Sequence, residues 1–252
     1  MPFSTAHSHP LNPWLCLGLP LLMMVLLLVV PTTGIDFAIT QYFYTPGVGF
    51  AGKHSYWLEN ILHDRAKQVV IVLGLLALAG LITSFVYRPW RWLRLPLGYL
   101  VLSISLSSSV VTPLKVVTGV HCPWDLAEFG GSEIFTPLLS ARAPTEHPGK
   151  CWPGGHASSG FIFFALYFVL RDRRPRQAKV ALIFALALGS LLSIGRVMQG
   201  AHFLSHNLWT ALFDWMIALG FYHLLLYHPQ PKRLEQLAPQ TVRDNYERPS
   251  NR

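Results

Sequence analysis

The stretch QVVIVLGLLALAGLITSFVY (residues 68–87) contains no charged side chain and is 20 residues long. A helix needs about 20 residues to cross a hydrocarbon core of about 30 Å. The stretch is therefore predicted to be a transmembrane helix, and this assignment sets the fold class.

Five more apolar runs repeat this pattern, so the chain is predicted to be an all-α, polytopic membrane protein with a bundle of six transmembrane helices. Of its 252 residues, 52% are hydrophobic and 13% are charged, against about 25% charged in an ordinary soluble domain. We expect a short cytoplasmic N-terminus at 1–12, one membrane domain at 13–228, and a disordered polar tail at 229–252. The five runs cover residues 13–31, 95–113, 157–170, 178–195 and 203–227.

The positions of the basic residues predict the topology. Positively charged loops mark the cytoplasmic side of a membrane, and the three basic segments fall on one side if six helices alternate. Both termini are therefore expected in the cytoplasm, which accounts for the net charge of +8 without a nucleic-acid partner. The basic segments are RPWRWLR (88–94), RDRRPRQAK (171–179) and the tail from Pro229, and the segments predicted on the opposite side are 32–67, 114–156 and 196–202.

The first apolar run has an alternative interpretation as a cleaved signal peptide. Residues 1–15 contain no Lys or Arg, and VVPTTGID (29–36) offers no A-x-A-like cleavage site. A retained helix is the favoured interpretation, with Cys16 inside it as a small buried hydrophobe. Cys122 and Cys151 share one outer segment, so a disulfide is predicted if that side is oxidising. Free or separately buried thiols are the alternative.

Four ionisable residues are predicted to lie at one membrane level, where the ends of four helices can surround a common pocket. Ionisable groups at this depth are costly and indicate function, although a single Lys or Arg there could snorkel to the interface and a single His is more often structural. The four are Lys115, His156, Arg196 and His202.

This set of residues suits a phosphate. The backbone N–H groups of Gly154, Gly155 and His156 can point at anionic oxygens from a helix N-terminus. An arginine fork and a lysine charge can bind the same group, while one histidine attacks phosphorus and the other protonates the leaving oxygen. The sequence has no GxxxxGK[ST] loop and no carboxylate cluster, so neither ATP nor Mg²⁺ is implied and no cofactor is expected.

Three motifs resemble the signatures of the type 2 phosphatidic acid phosphatase family of membrane lipid phosphatases, which read K-x6-R-P, P-S-G-H and S-R-x5-H-x3-D. The resemblance covers about residues 30–228. The matching stretches are KVVTGVHCP (115–123), PGGH (153–156) and GRVMQGAHFLSH (195–206).

The resemblance implies that His202 is the nucleophile and forms a phosphohistidine, that His156 is the general acid and later the base, and that Lys115 and Arg196 bind the phosphate. This chain departs from the family at four positions. Cys122 replaces the motif arginine, Gly154 and Gly195 replace serines, and His206 stands where an aspartate would orient the nucleophile.

The lost aspartate matters because the corresponding group in the serine hydrolase triad contributes about 10⁴ in turnover. A neutral His206 could accept the hydrogen bond, or Asp125 or Glu128 could supply the carboxylate. Asp214 lies along the sixth helix at roughly 18 Å from His202, taking 1.5 Å per residue. This is too far for its carboxylate to orient the His202 ring.

The favoured function is a metal-independent phosphatase acting on a membrane lipid phosphate at the outer, periplasmic face of a bacterial inner membrane, with no obligatory protein partner inferred. A phosphotransferase and a catalytically silent lipid-phosphate binder or transporter remain alternatives. So does a metal site formed by His202, His206 and His156, which the charges of Lys115 and Arg196 would oppose. The motifs identify a phosphate and do not choose among lipid substrates.

Overall fold

The apolar runs form helices in the computed structural model, which describes residues 8–53, 55–58, 65–142 and 147–227. A π-helical turn, Trp14–Gly18, leads into α1 (Leu19–Val29), and a short hairpin follows α2. The remaining elements are α2 (Thr33–Tyr42), β1 (Tyr44–Thr45), β2 (Gly49–Phe50), α3 (Ala66–Val86), α4 (Arg94–Thr118), α5 (Gly155–Phe161), α6 (Phe164–Leu170), α7 (Pro175–Met198) and α8 (Leu204–Leu225).

Four helical segments of the described chain are long and apolar enough to cross a membrane: Ala66–Val86, Arg88–Asp125, Pro175–Met198 and Leu204–Leu225. A fifth is obtained if Trp14–Val29 and Thr33–Tyr42, which meet at an angle of 87°, are one broken span. Gly155–Leu170 is apolar but shorter. The helical membrane fold is as predicted, whereas the count of exactly six spans stays a prediction.

Burial in this bundle has the pattern of a membrane protein. Large apolar side chains such as Val69, Leu76 and Phe85 on α3 are exposed, while Ser103 and Asp214 are buried inside. Polar groups within a bilayer face the bundle interior, and lipid solvates the outer apolar surface.

The short helices α5 and α6 lie at the centre of the bundle. Gly160 of α5 lies against Gly189 of α7, where a side chain on either residue would overlap the other helix. Small residues of this kind let two helices approach closely. The predicted single helix over 157–170 is interrupted by a turn at Ile162 and Phe163, after which α6 packs its aromatic side chains into the core.

An apolar aromatic cluster lies beside the start of α8. Phe50 of the hairpin packs with Phe129 and Phe203, and the Gly52 N–H donates to the Met198 carbonyl at the end of α7. The Phe50 ring packs against Gly200 (φ 69°), where a side chain on residue 200 would collide with that ring. The hairpin therefore braces the loop that leads into α8.

The opposite end of the bundle holds the N-terminal segment and the end of α8. The Ser8 hydroxyl donates to the Leu226 carbonyl, and the Arg171 guanidinium donates to the carbonyls of His9 and Pro10. Residues 8–10 and the end of α8 thus lie at the same end of the bundle. The predicted disordered tail at 229–252 lies outside the described residues.

Candidate active site

Four helix ends bring the four predicted ionisable residues to one end of the bundle. Two of these residues lie in the last turns of their helices and two lie at helix starts, where backbone carbonyls and N–H groups respectively lack intrahelical partners. Lys115 is in the last turn of α4, Arg196 in the last turn of α7, His156 in the first turn of α5, and His202 two residues before α8.

His202 is 2% exposed, and its Nε2 has no hydrogen-bond partner in the described part of the chain. Burial is the largest cause that lowers the pKa of His202 well below its usual value, followed by the charge of Lys115; His206, Arg196 and His156 add to the effect. The imidazole is therefore neutral near pH 7, and Nε2 makes no hydrogen bond to a described residue that a substrate would have to displace.

The other ring nitrogen of His202 faces sulfur. Nδ1 lies 3.2 Å from Cys151 Sγ, which is bonded to Cys122 and can only accept a hydrogen bond. This contact assigns the proton to Nδ1 and leaves the lone pair on Nε2. The disulfide sulfur thus faces the nitrogen that, by the resemblance, an aspartate would orient.

The disulfide itself agrees with the sequence prediction. Cys122 and Cys151 are bonded, with Cα atoms 5.0 Å apart and a sequence separation of 29, while Cys16 is free. A hydrogen bond from the Cys151 N–H to the Val120 carbonyl runs beside the bridge. The bridge connects the segment after Lys115 to the segment before His156.

His156 and Lys115 line a common cavity of about 330 Å³ between α3, α4 and α5. The ring centroids of His156 and His202 are 6.2 Å apart. Lys115 Nζ lies 3.5 Å from the position that a Cβ on Gly155 would occupy. The ammonium group is therefore adjacent to the start of α5, where an anion would also meet backbone N–H groups.

Gly154 is held on both sides by α8. Its N–H donates to the His206 carbonyl, and its own carbonyl accepts from the Thr210 hydroxyl. The Gly154 N–H is thus already used, which corrects its predicted role as a phosphate donor and leaves Gly155 and His156 for that role. A side chain at 154 would overlap Asn207 Oδ1, so Asn207 occupies the space of the serine that the family pattern has there.

Arg196 is half-buried and is held by its neighbours. Its Nη1 donates to Gln199 Oε1 at 2.8 Å, and its Cζ lies 5.8 Å from the centre of the Trp124 ring. The Trp124 N–H donates to the Gly200 carbonyl. The segment after Cys122 therefore packs directly over this guanidinium.

The three residues proposed to orient His202 do not do so in this structure. The His206 ring is 6.2 Å from the His202 ring between centroids, and its Nδ1 has no partner among the described residues. The Asp125 carboxylate accepts from the Cys122 N–H within its own turn, and Glu128 is exposed. These positions differ from the prediction because Cys151 already faces Nδ1.

Asp36 was missed by the sequence analysis. This buried carboxylate of α2 accepts hydrogen bonds from the Ser205 N–H at 2.9 Å and from the Ser205 hydroxyl at 2.6 Å. Ser205 lies between His202 and His206 at the start of α8, where a carboxylate also complements the helix dipole. An acidic residue in the apolar stretch TGIDFAI (33–39) was the available signal.

One group of metal-ligating side chains occurs in the described part of the chain. Ligand atoms of Cys122, Cys151 and His202 lie within 4.8 Å of one another. Both sulfurs are used by the disulfide in this structure, and a metal cation would meet the charges of Lys115 and Arg196. The predicted set of His202, His206 and His156 does not form such a group among the described residues.

Comparison with known proteins identifies the family of the chain. The family model of the PAP2 superfamily matches residues 96–230, which is more than half of the chain, and the chain belongs to that superfamily. The resemblance seen in the three motifs is thereby confirmed.

A curated relative is the lipid A 4′-phosphatase of Francisella tularensis subsp. novicida (strain U112). The two proteins are 25% identical over 207 residues, which cover 80% of this chain and 90% of the relative. No solved structure matches the chain.

Proposed function

We propose that this protein is an integral membrane lipid phosphatase that hydrolyses a lipid phosphate through a phosphohistidine on His202. The observation that carries the proposal is the buried Nε2 of His202, which is without a partner among the described residues and is surrounded by Lys115, Arg196 and His156. A neutral nitrogen nucleophile beside two cations suits attack on an anionic phosphorus centre.

In the first step, Nε2 of His202 forms a bond to phosphorus, and the bond from phosphorus to the lipid oxygen breaks. His156 donates a proton to that oxygen, so the lipid alcohol leaves neutral. Lys115, Arg196 and the N–H groups of Gly155 and His156 bind the non-bridging oxygens. In the second step, water attacks the phosphohistidine, His156 takes the proton, and phosphate and neutral His202 are regenerated.

The experiment is phosphate release by the purified protein from a panel of ³²P-labelled lipid phosphates, with and without EDTA. The relative makes lipid A the first substrate to test, followed by phosphatidic acid, phosphatidylglycerophosphate and undecaprenyl pyrophosphate. We expect EDTA-insensitive release that His202→Ala and His156→Ala abolish. Acid-labile label retained on wild-type protein, and lost in His202→Ala, would identify the intermediate.

Other outcomes of the same experiment identify the alternatives. Inhibition by EDTA would indicate a metal enzyme, and label transferred to another lipid would indicate a phosphotransferase. Binding without release would indicate a silent lipid-phosphate binder, which the replacements at Cys122 and His206 favour. Activity of His202→Ala within a few-fold of wild type would exclude the phosphohistidine.

We also propose that the site faces the periplasm across the inner membrane. The basic segments 88–94 and 171–179 follow helices that begin at the site, so they lie at the other end of the bundle, where positive loops favour the cytoplasm. Protease added to intact spheroplasts is expected to spare the C-terminal tail. Cleavage of the tail from outside would reverse the topology.

A further inference from the structure

The 330 Å³ cavity that contains Lys115 and His156 continues to a second lysine on a different helix. Lys67, in the first turn of α3, lines this cavity. The volume of this cavity lies within the range of about 300–1,000 Å³ that is typical of ligand pockets. The cavity is therefore larger than a single phosphate group. The cavity has room for part of a head group beside the group that binds at Lys115 and His156.

The lining of the cavity is suited to an anionic lipid. It contains two lysines and a histidine, and none of the described residues that line it is acidic. Val70, Ile71 and Ile162 line the same cavity and supply an apolar wall. Positive charge and hydrocarbon contact are thus combined in one space.

Lys67 lies at an unfavourable position with respect to the dipole of its own helix. A cation in the first turn of a helix opposes the positive end of the helix dipole, and the first turn of α3 has no acidic residue to offset it. Lys67 makes no ion pair or hydrogen bond with the described part of the chain. Its charge lines the cavity, and none of the described residues there supplies a counter-charge.

We infer that Lys67 binds a second anionic group of the substrate head group, a phosphate or a carboxylate, which is separated from the phosphate at His202. The inference rests on the proposed function. Lys67 and Lys115 line this cavity from different helices, α3 and α4, and His202 is not among its lining residues. The group that Lys67 binds is therefore a second anion, separated from the scissile phosphate by a sugar or glycerol unit of the head group.

The test compares binding of lipid A carrying two phosphates with binding of lipid A carrying only the phosphate to be removed. The His202→Ala variant in nanodiscs keeps both lipids intact during the measurement. Adding Lys67→Gln should lower the preference for the two-phosphate lipid about tenfold, the loss expected for one hydrogen bond to a charged group. Lys67→Arg should retain that preference.

Arg65→Gln is the matched control, because Arg65 precedes α3, carries the same charge and does not line the cavity. It should leave the preference within twofold. Equal weakening of both lipids by Lys67→Gln, no weakening, or the same loss in Arg65→Gln would each overturn the inference. Turnover by the unmutated protein is measured separately, so an absence of phosphate release would contradict the proposed function without changing the binding result.

Discussion

The Nδ1 atom of His202 lies 3.2 Å from the Sγ atom of Cys151. In the family pattern this nitrogen would donate to an aspartate, and here it donates to a disulfide sulfur, which is a weak and uncharged acceptor. The contact fixes the tautomer of the proposed nucleophile, but it would contribute less than a carboxylate to stabilising the imidazolium that forms in the proposed reaction. The cysteine pair thus contacts the ring of the proposed nucleophile as well as cross-linking the fold.

Cys122→Ala and Cys151→Ala are expected to have different effects on turnover. Both open a loop with 29 residues of sequence separation, which costs about 3 to 4 kcal/mol in the chain-entropy model, so both should lower Tm similarly. Cys151→Ala also removes the acceptor for Nδ1–H, and its kcat should fall about tenfold below that of Cys122→Ala. Cys16→Ala is the control. Equal kcat values in the two variants would refute the orienting role.

His206→Asp should partly restore the turnover of Cys151→Ala. The substitution places a carboxylate one helical turn from His202, as the family motif has it, and keeps the main-chain carbonyl that accepts from Gly154. His206→Asn is the matched control, since it supplies an acceptor without charge and should restore less. If Asp and Asn restore kcat equally, a negative charge at position 206 does not stabilise the imidazolium of His202.

The rate of phosphate release is expected to fall on the acid side of its pH profile, in a limb that lies below pH 6.5. Only neutral His202 can attack, and burial followed by the charge of Lys115 lowers the pKa of His202, so the neutral form persists as the pH falls past the usual histidine value of about 6.5. Among the charged groups, Lys115 lowers the pKa of His202 most. Lys115→Gln removes that charge, so the pKa of His202 rises and the acid limb should shift to higher pH.

The measurement is kcat/KM against pH on one substrate, whose own titration is the same for every variant. Lys150→Gln, an exposed charge in the same outer segment that does not act on His202, should leave the limb in place. A limb that is unchanged in Lys115→Gln would show that this titration does not belong to His202.

The long helices could be predicted from the sequence because each depends on its own apolar run. The run at 68–87 became α3 (Ala66–Val86), and the run at 178–195 became α7 (Pro175–Met198). The third run was ended at Pro113, yet α4 continues through this proline to Thr118. Gly119 ends it with φ 57° and an N–H that donates to the Lys115 carbonyl, so a glycine C-cap was the better signal.

The convergence of the four motif residues at one end of the bundle could be predicted from the sequence, whereas contacts between residues distant in sequence could not. Asp36 and Ser205 are 169 residues apart, and neither belongs to a motif. The sulfur at His202 was also missed, because the sequence placed Cys151 near His156 without showing which face of the bridge would meet Nδ1. Spacing along a chain does not reveal such contacts.

Gly154→Ser, which restores the residue of the family pattern, is expected to destabilise this protein. A side chain at 154 would overlap Asn207 Oδ1, and Asn207 is held by its Nδ2 contacts to the carbonyls of Ser193 and Phe203. Overpacking of this kind costs about 1–3 kcal/mol. Gly98→Ser in α4 is the control, because nothing lies within 4 Å of its added Cβ.

Adding Asn207→Ala should remove the overlap, so that Gly154→Ser costs less in that background than in the wild type. Thermal unfolding of the four proteins in one detergent gives a double-mutant cycle, and we expect a positive coupling of at least about 1 kcal/mol, the lower end of the overpacking cost. If Gly154→Ser lowers Tm equally in both backgrounds, the added side chain does not clash with Asn207. The next contacts to test are then the His206 carbonyl and the Thr210 hydroxyl, which hold the main chain of Gly154.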